Sequence, residues 1–181
     1  MTKKWLLSIP VLFLVYILIG AYMSKTEQPK YIVRNTVGAI ESREYQPLIL
    51  AQVTTSGTRS EAIKSGFKIL ADYIFGNNIA MTAPVLQTKI DNGWRISFIM
   101  PSKYQISDLP QNPKINLVEI PKQTVSVISF SGRITEANLS KHAQIILQTA
   151  PKSAKLTYAF YNPPWTLPML RRNEIMLDFK N

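Results

Sequence analysis

The sequence predicts an α+β domain in which short antiparallel strands pair into one sheet and two amphipathic helices lie against it. Three observations carry this expectation. Twelve prolines against seven glycines, with no low-complexity tract, favour many short elements joined by rigid turns over a helical bundle. Two segments place apolar residues at helical spacing behind a capping signal, between runs of β-favouring residues. One block also recurs: Ser56-Gly57-Thr58-Arg59-Ser60-Glu61-Ala62 returns as Ser131-Gly132-Arg133-Ile134-Thr135-Glu136-Ala137, an offset of 75 residues. The same offset carries residues 95–101 onto Leu170–Met176, so each half reads strand, Ser-Gly corner, capped helix, two strands. Two such βαββ units can pair through their sheets about a pseudo-twofold axis. Both helices then stand on one side, over a shared apolar cleft where a ligand would sit.

The N-terminus is a separate element. Residues Trp5 to Met23 form a 19-residue uncharged run behind Lys3 and Lys4, about the length of a membrane-crossing helix. The chain is therefore divided into 1–23, a signal anchor or signal peptide; 24–30, a polar linker; and 31–181, the folded domain. The run is longer than the usual signal core of about 7 to 15 residues, which favours an uncleaved transmembrane anchor over a cut near Gly20 or Ala21. Positive charge ahead of it puts the domain on the non-cytoplasmic side of the membrane, periplasmic or extracellular in a bacterium, or secreted if the leader is cut.

From Tyr31 to Gln52 the β-favouring residues break at Gly38 and Pro47, which predicts two or three strands. Thr58-Arg59-Ser60-Glu61 is a capping-box sequence, and Ile63, Phe67, Leu70 and Ile74 follow at helical spacing until Gly76 stops the helix. Residues 79–90 and 94–101 return to strand character, joined by the turn residues Asp91-Asn92-Gly93. In the second of these, Trp94, Ile96, Phe98 and Met100 alternate with Arg95, Ser97 and Ile99. A proline-rich connection leads to strands at 115–120 and 123–130. A second helix then carries Leu139, Ala143, Ile146 and Ala150 and ends before Pro151.

Composition narrows the chemistry. Without cysteine there is no disulfide, thiolate metal site or cysteine nucleophile. One histidine, His142, rules out any two-histidine metal centre within the chain. The formal charge of +10, about +8 without Lys3 and Lys4, suits anionic partners. The cations are nevertheless spread singly and no helix-turn-helix, RNP or zinc-finger pattern is present, so nucleic acid is not an expected partner. No GxSxG elbow and no glycine-rich phosphate loop occurs.

Several segments occur together in one order: Phe67 to Asn77 (FKILADYIFGN), Ile79-Ala80-Met81-Thr82-Ala83-Pro84-Val85, Ser97-Phe98-Ile99-Met100-Pro101, Phe130-Ser131-Gly132, and Tyr161-Asn162-Pro163-Pro164-Trp165-Thr166 followed by Arg171-Arg172-Asn173-Glu174. In this set the chain resembles the SOUL haem-binding protein family, over roughly residues 31–181. The resemblance implies a distorted antiparallel β-barrel with two helices, and non-covalent binding of haem or another tetrapyrrole by a carrier, buffer or sensor. It further implies that the macrocycle rests along the first helix, on Lys64, Phe67, Leu70 and Ala71, beneath the loop from Pro163 through Met169. There Trp165 and Met169 would supply apolar contact, and Lys64 and Arg171 would face the propionates. Asp72 departs from this pattern, standing where a basic residue can occur.

Each candidate has its own chemistry. His142 borders the apolar stripe of the second helix and is the one imidazole able to act as an axial iron ligand. Trp165, in a proline-stiffened loop, suits stacking on a planar ligand. Two other readings share the scaffold: a binding module for another amphipathic small molecule, and a carboxylate-dependent hydrolase using Glu61 or Glu174. The domain is expected to be monomeric and not an enzyme.

Overall fold

A computed structural model describes residues 26–150, 154–177 and 179–180 of the protein. Nine strands and two α-helices follow one another along it: β1 (Tyr31–Val37), β2 (Ile40–Tyr45), β3 (Leu48–Thr55), α1 (Arg59–Gly76), β4 (Val85–Ile90), β5 (Gly93–Ile99), β6 (Asn116–Ile120), β7 (Gln123–Phe130), α2 (Glu136–Leu147), β8 (Leu156–Phe160) and β9 (Asn173–Leu177). All the strands join one antiparallel sheet in the order β1-β2-β7-β9-β8-β4-β5-β3-β6. Of the two or three strands expected before the first helix, three are present, broken at Gly38 and Pro47. Residues 79–84, expected as the start of a strand, lead into β4 instead, and only Thr82 makes a bridge there, to Glu27.

The sheet curls into a half-barrel. Its two edges lie far apart in the strand order, yet Tyr31 of β1 and Val118 and Ile120 of β6 pack into the same cluster. That cluster fills the concave face with Tyr45, Leu50, Leu86, Val127, Met176 and their neighbours, and no helix residue contributes to it. The helices cover the opposite face. α1 packs on β3 and β5 over Val53, Ile96 and Phe98, and α2 packs on β7 and β9 over Ile128, Ile175 and Leu177. The barrel interior is thus a side-chain core.

Both helices begin as their sequences require. Thr58 accepts from the backbone N–H of Glu61, and the Glu61 carboxylate accepts from the backbone N–H of Thr58, completing the capping box. Thr135 caps α2 by accepting from the N–H of Asn138. The buried face of α1 is rotated from the expected stripe: Ala62, Gly66, Leu70, Tyr73 and Ile74 are buried, and Phe67 is 41% exposed. Gly66 is the cause. A Cβ there would lie 2.7 Å from Cγ1 of Ile96, so the missing side chain lets the helix backbone settle against β5 along the line through Gly66.

One expectation about the N-terminal part is revised. A domain anchored across a membrane is not supported: among the described residues no helix is long and apolar enough to cross one. The 18-residue α1 has an exposed face bearing Lys64, Lys68 and Asp72. The run from Trp5 to Met23, with its cleavage positions, lies outside the described residues. Residues 27–30, expected within a linker, are hydrogen-bonded into the domain: Ala83 donates its N–H to Glu27 O, Ser102 to Glu27 Oε1, and Gln46 to Lys30 O.

Candidate functional site

The expected ligand surface lies on the helical face. Lys64 is exposed on α1 and Ala71 is half-buried. Phe67 lies edge-on to Phe98 of β5 with ring centroids 5.2 Å apart. Leu70 must be removed from the surface: it is fully buried beneath α1 and belongs to the core, because its helical phase points into the sheet. The second part of the surface is the loop between β8 and β9, in which Trp165 is 62%, Met169 77% and Leu170 60% exposed. Phe98 and Phe160 both pair with Val85, so Phe98, the ring beneath Phe67, stands two strand spacings, about 10 Å, from the root of this loop.

The loop is held in shape from within. The Arg171 guanidinium donates from Nε to Thr166 O at 2.8 Å and from Nη2 to Pro164 O. Gly132 donates its N–H to Pro168 O, tying the loop to the corner ahead of α2. Arg171 therefore shapes the Trp165 turn, and its neighbour Arg172 pairs with Glu174 on the last strand.

The space between the helices, expected as an open apolar cleft, is bridged by a residue that the sequence did not single out. Arg59, the first residue of α1, lies 5.6–5.7 Å from the ring centroids of Trp94, Tyr158 and Phe160. It donates to Gln87 Oε1 at 2.7 Å and to Glu136 Oε1 at the start of α2. The guanidinium thus occupies the aromatic floor over β4 and β8. His142 lies beyond it, stacked on Phe130 with centroids 4.0 Å apart, and its Nδ1 donates to Asn138 O at 2.8 Å. Phe130 and Phe98 are four strand spacings apart through Asn173, Phe160 and Val85, roughly 19 Å along the sheet. The structure therefore does not bring His142 to the Phe67 surface.

A buried charge cluster sits at the junction of β2, β7 and β9. Glu174 is 0% exposed, and its Oε1 accepts from Arg43 Nη1 at 2.9 Å, Arg172 Nε at 2.8 Å and Ser129 Oγ at 3.0 Å. Its Oε2 accepts from Tyr161 Oη at 2.9 Å. Burial would lower the Arg43 pKa, but the Glu174 charge and hydrogen bond override it and hold it above the ordinary arginine value. Burial, reinforced by the Glu174 charge, raises Tyr161, and the same causes push Tyr45 up to about 12. With its oxygens shared among two guanidiniums and two hydroxyls, Glu174 is not arranged as a general base. Glu61 is spent on the cap of α1. Among the described residues no group of three or more histidine or acidic side chains could hold a metal ion.

A cavity of about 850 Å³ opens elsewhere, at the end of the sheet where residues 27–30, 46–49, 99–102, 104–107 and 119–121 converge. None of the expected site residues lines it.

The description "SOUL heme-binding protein" belongs to the family model that matches residues 26–178. No curated protein matches the chain at a significant level. Among solved structures, the crystal structure of the EcmrR C-terminal domain is similar at a TM-score of 0.55 and 11% identity, covering 83% of this chain and 96% of that one. The EcmrR chain in a cryo-EM EcmrR–DNA complex is similar at 0.54 and 10% identity, covering 90% of this chain and 62% of that one. At such identities these two likenesses speak to the fold alone.

Proposed function

Because the chain belongs to the SOUL heme-binding protein family, we propose that its domain holds haem or a related tetrapyrrole non-covalently, as a carrier, buffer or sensor, on the surface shared by α1 and the β8–β9 loop. The observation that carries this reading is the pinned loop. Trp165, Met169 and Leu170 remain largely in water although Arg171 and Gly132 fix the backbone beneath them. A preorganised apolar patch of this kind is what a planar ligand requires, since little ordering entropy opposes binding. Phe67 extends the patch from α1, and Lys64 supplies a cation for a propionate.

The residues suit the ligand. The macrocycle meets aromatic and thioether side chains, Met169 places a soft donor on the loop, and the apolar barrel core is not needed. When bound, haem would supply its iron chemistry; the protein's part is to position the ring and shield one face. We read the strand orders β4-β5-β3 and β8-β9-β7, each with a helix packed on it, as the two halves of the βαββ duplication.

Titrating the full chain with hemin tests the reading. The expected result is a saturable, stoichiometric Soret shift that weakens about fivefold in Trp165→Ala, the worth of one aromatic stack. A response equal to that of an unrelated basic protein rejects the proposal. The hydrolase alternative is disfavoured by the commitments of Glu61 and Glu174.

A further inference from the structure

The 850 Å³ cavity lies outside the haem surface and has the size of a small-molecule site. Its walls are stiff. Pro29, Pro47, Pro101 and Pro121 come from four different segments, and the 27–30 segment is fastened by the hydrogen bonds of Glu27 and Lys30 to Ala83, Ser102 and Gln46. Leu48, Ile106 and Tyr104 give it an apolar lining. A cavity whose walls come from fastened, proline-bearing segments loses little entropy when it is filled.

Its charge is opposite to that of the protein. The chain carries +10, yet the charged side chains lining the cavity are Glu27, Glu119 and Lys30, a net of −1. Glu27 uses Oε1 to accept from the Ser102 N–H. Glu119 stands exposed on the edge strand β6 opposite Ile49. Around the rim, Lys103 lies 4.8 Å from the Tyr104 ring centroid, Asp108 accepts from the Gln105 N–H, and the two further cations are paired elsewhere: Lys122 with Glu44, and Arg172, which donates to Gln28 Oε1, with Glu174. An anionic tetrapyrrole gains nothing from such a lining, whereas a cation gains both carboxylates.

We propose that this cavity is a second binding site, for an amphipathic organic cation with an aromatic or aliphatic body. The cationic end lies between Glu27 and Glu119 and the body lies along Leu48, Tyr104 and Ile106. This site is independent of the haem reading and takes the opposite charge.

The test is fluorescence anisotropy of rhodamine 6G, a lipophilic cation, titrated with the full chain, with anionic fluorescein as comparator. The expected result is one saturable site for rhodamine 6G and none for fluorescein. Affinity should fall about threefold in Glu27→Gln and in Glu119→Gln, and about tenfold in the double variant, the worth of partly exposed ion pairs. Glu119→Lys should weaken binding further. Glutamine at position 27 keeps an oxygen for Ser102, and unchanged thermal midpoints confirm that these variants fold. Saturating the protein with hemin should leave rhodamine 6G affinity unchanged, as should Trp165→Ala. The proposal is overturned if the double variant binds as tightly as the wild type, if fluorescein binds equally, or if hemin displaces the dye. None of these outcomes bears on whether hemin itself binds.

Discussion

Replacing Glu174 with alanine should be among the most damaging single substitutions in this domain. The carboxylate is wholly buried and is shared by Arg43, itself 3% exposed, Arg172, Ser129 and Tyr161. Without it, the one ionic partner left to Arg43 among the described residues is the partly exposed Glu41, at 2.7 Å. Removing one member of a buried pair strands the other as an uncompensated charge, a loss of about 3–5 kcal/mol. For a domain of this size that corresponds to a fall in melting temperature of roughly 8–16 °C. Urea unfolding followed by circular dichroism measures the loss directly. Glu174→Gln should be milder, since its amide oxygen can still accept from a guanidinium. The double variant Arg43→Met/Glu174→Gln should lose less than its two single changes added together, because the stranded cation is gone. A loss below about 1 kcal/mol for Glu174→Ala would refute the reasoning and mean that water or a rearranged partner reaches the site.

Tyr45, pushed up to about 12, and Tyr161, also raised, give an alkaline signature. Below the unfolded value of 10 both phenols are protonated, folded or not; above it the unfolded chain loses protons first, so stability should fall between pH 10 and 12 by about 1.4 kcal/mol per pH unit for each tyrosine. Tyr45→Phe should reduce that slope, and flat stability across the range would contradict the burial argument. Gly66→Ala should destabilise by about 1 kcal/mol, since overpacking against Ile96 outweighs the gain in helix propensity. In a denaturation double-mutant cycle with Ile96→Ala the two changes should couple by about the same amount, and additivity would argue against the close approach. His142→Ala should leave the Soret maximum of hemin-loaded protein unchanged, given its separation from Phe67; a shift would make His142 the axial ligand.

Much of the fold could be read from the chain because local signals and tertiary packing agree. Thr58 and Glu61 form the cap that their spacing announces, and Asp91-Asn92-Gly93 turns β4 into β5. Phe67 shows where such reading fails. Periodicity counts apolar residues, but the buried line of α1 was set by Gly66, whose contribution is the absence of a side chain. Arg59 escaped notice for a related reason: a cation at the first position of a helix reads as a solvated flank, and only the pairing of β4 with β8 gathers aromatic rings beneath it. The Arg43–Glu174 pair spans 131 residues, and no local pattern marks a contact of that range. The aromatic and proline content of the Trp165 loop was visible, whereas the bonds that pin it belong to the folded chain.

The distribution of cations also bears on how an anionic ligand would be held. Arg34, Arg43, Arg59, Arg171 and Arg172 are all engaged with groups of the domain itself. On α1 itself the exposed positive charge therefore falls to lysine, with Lys64 foremost and Lys68 paired to Asp72 at 2.6 Å. A lysine is a mobile, strongly hydrated point charge that lacks the planar fork of arginine, so its pairing with a propionate at the surface contributes less than about 1 kcal/mol. The high net charge can draw a dicarboxylate toward the protein, but it supplies little of the grip. On this surface the affinity must come from apolar contact, which gives the geometry of Phe67, Trp165 and Met169 more weight than the charge of the whole chain in deciding what binds.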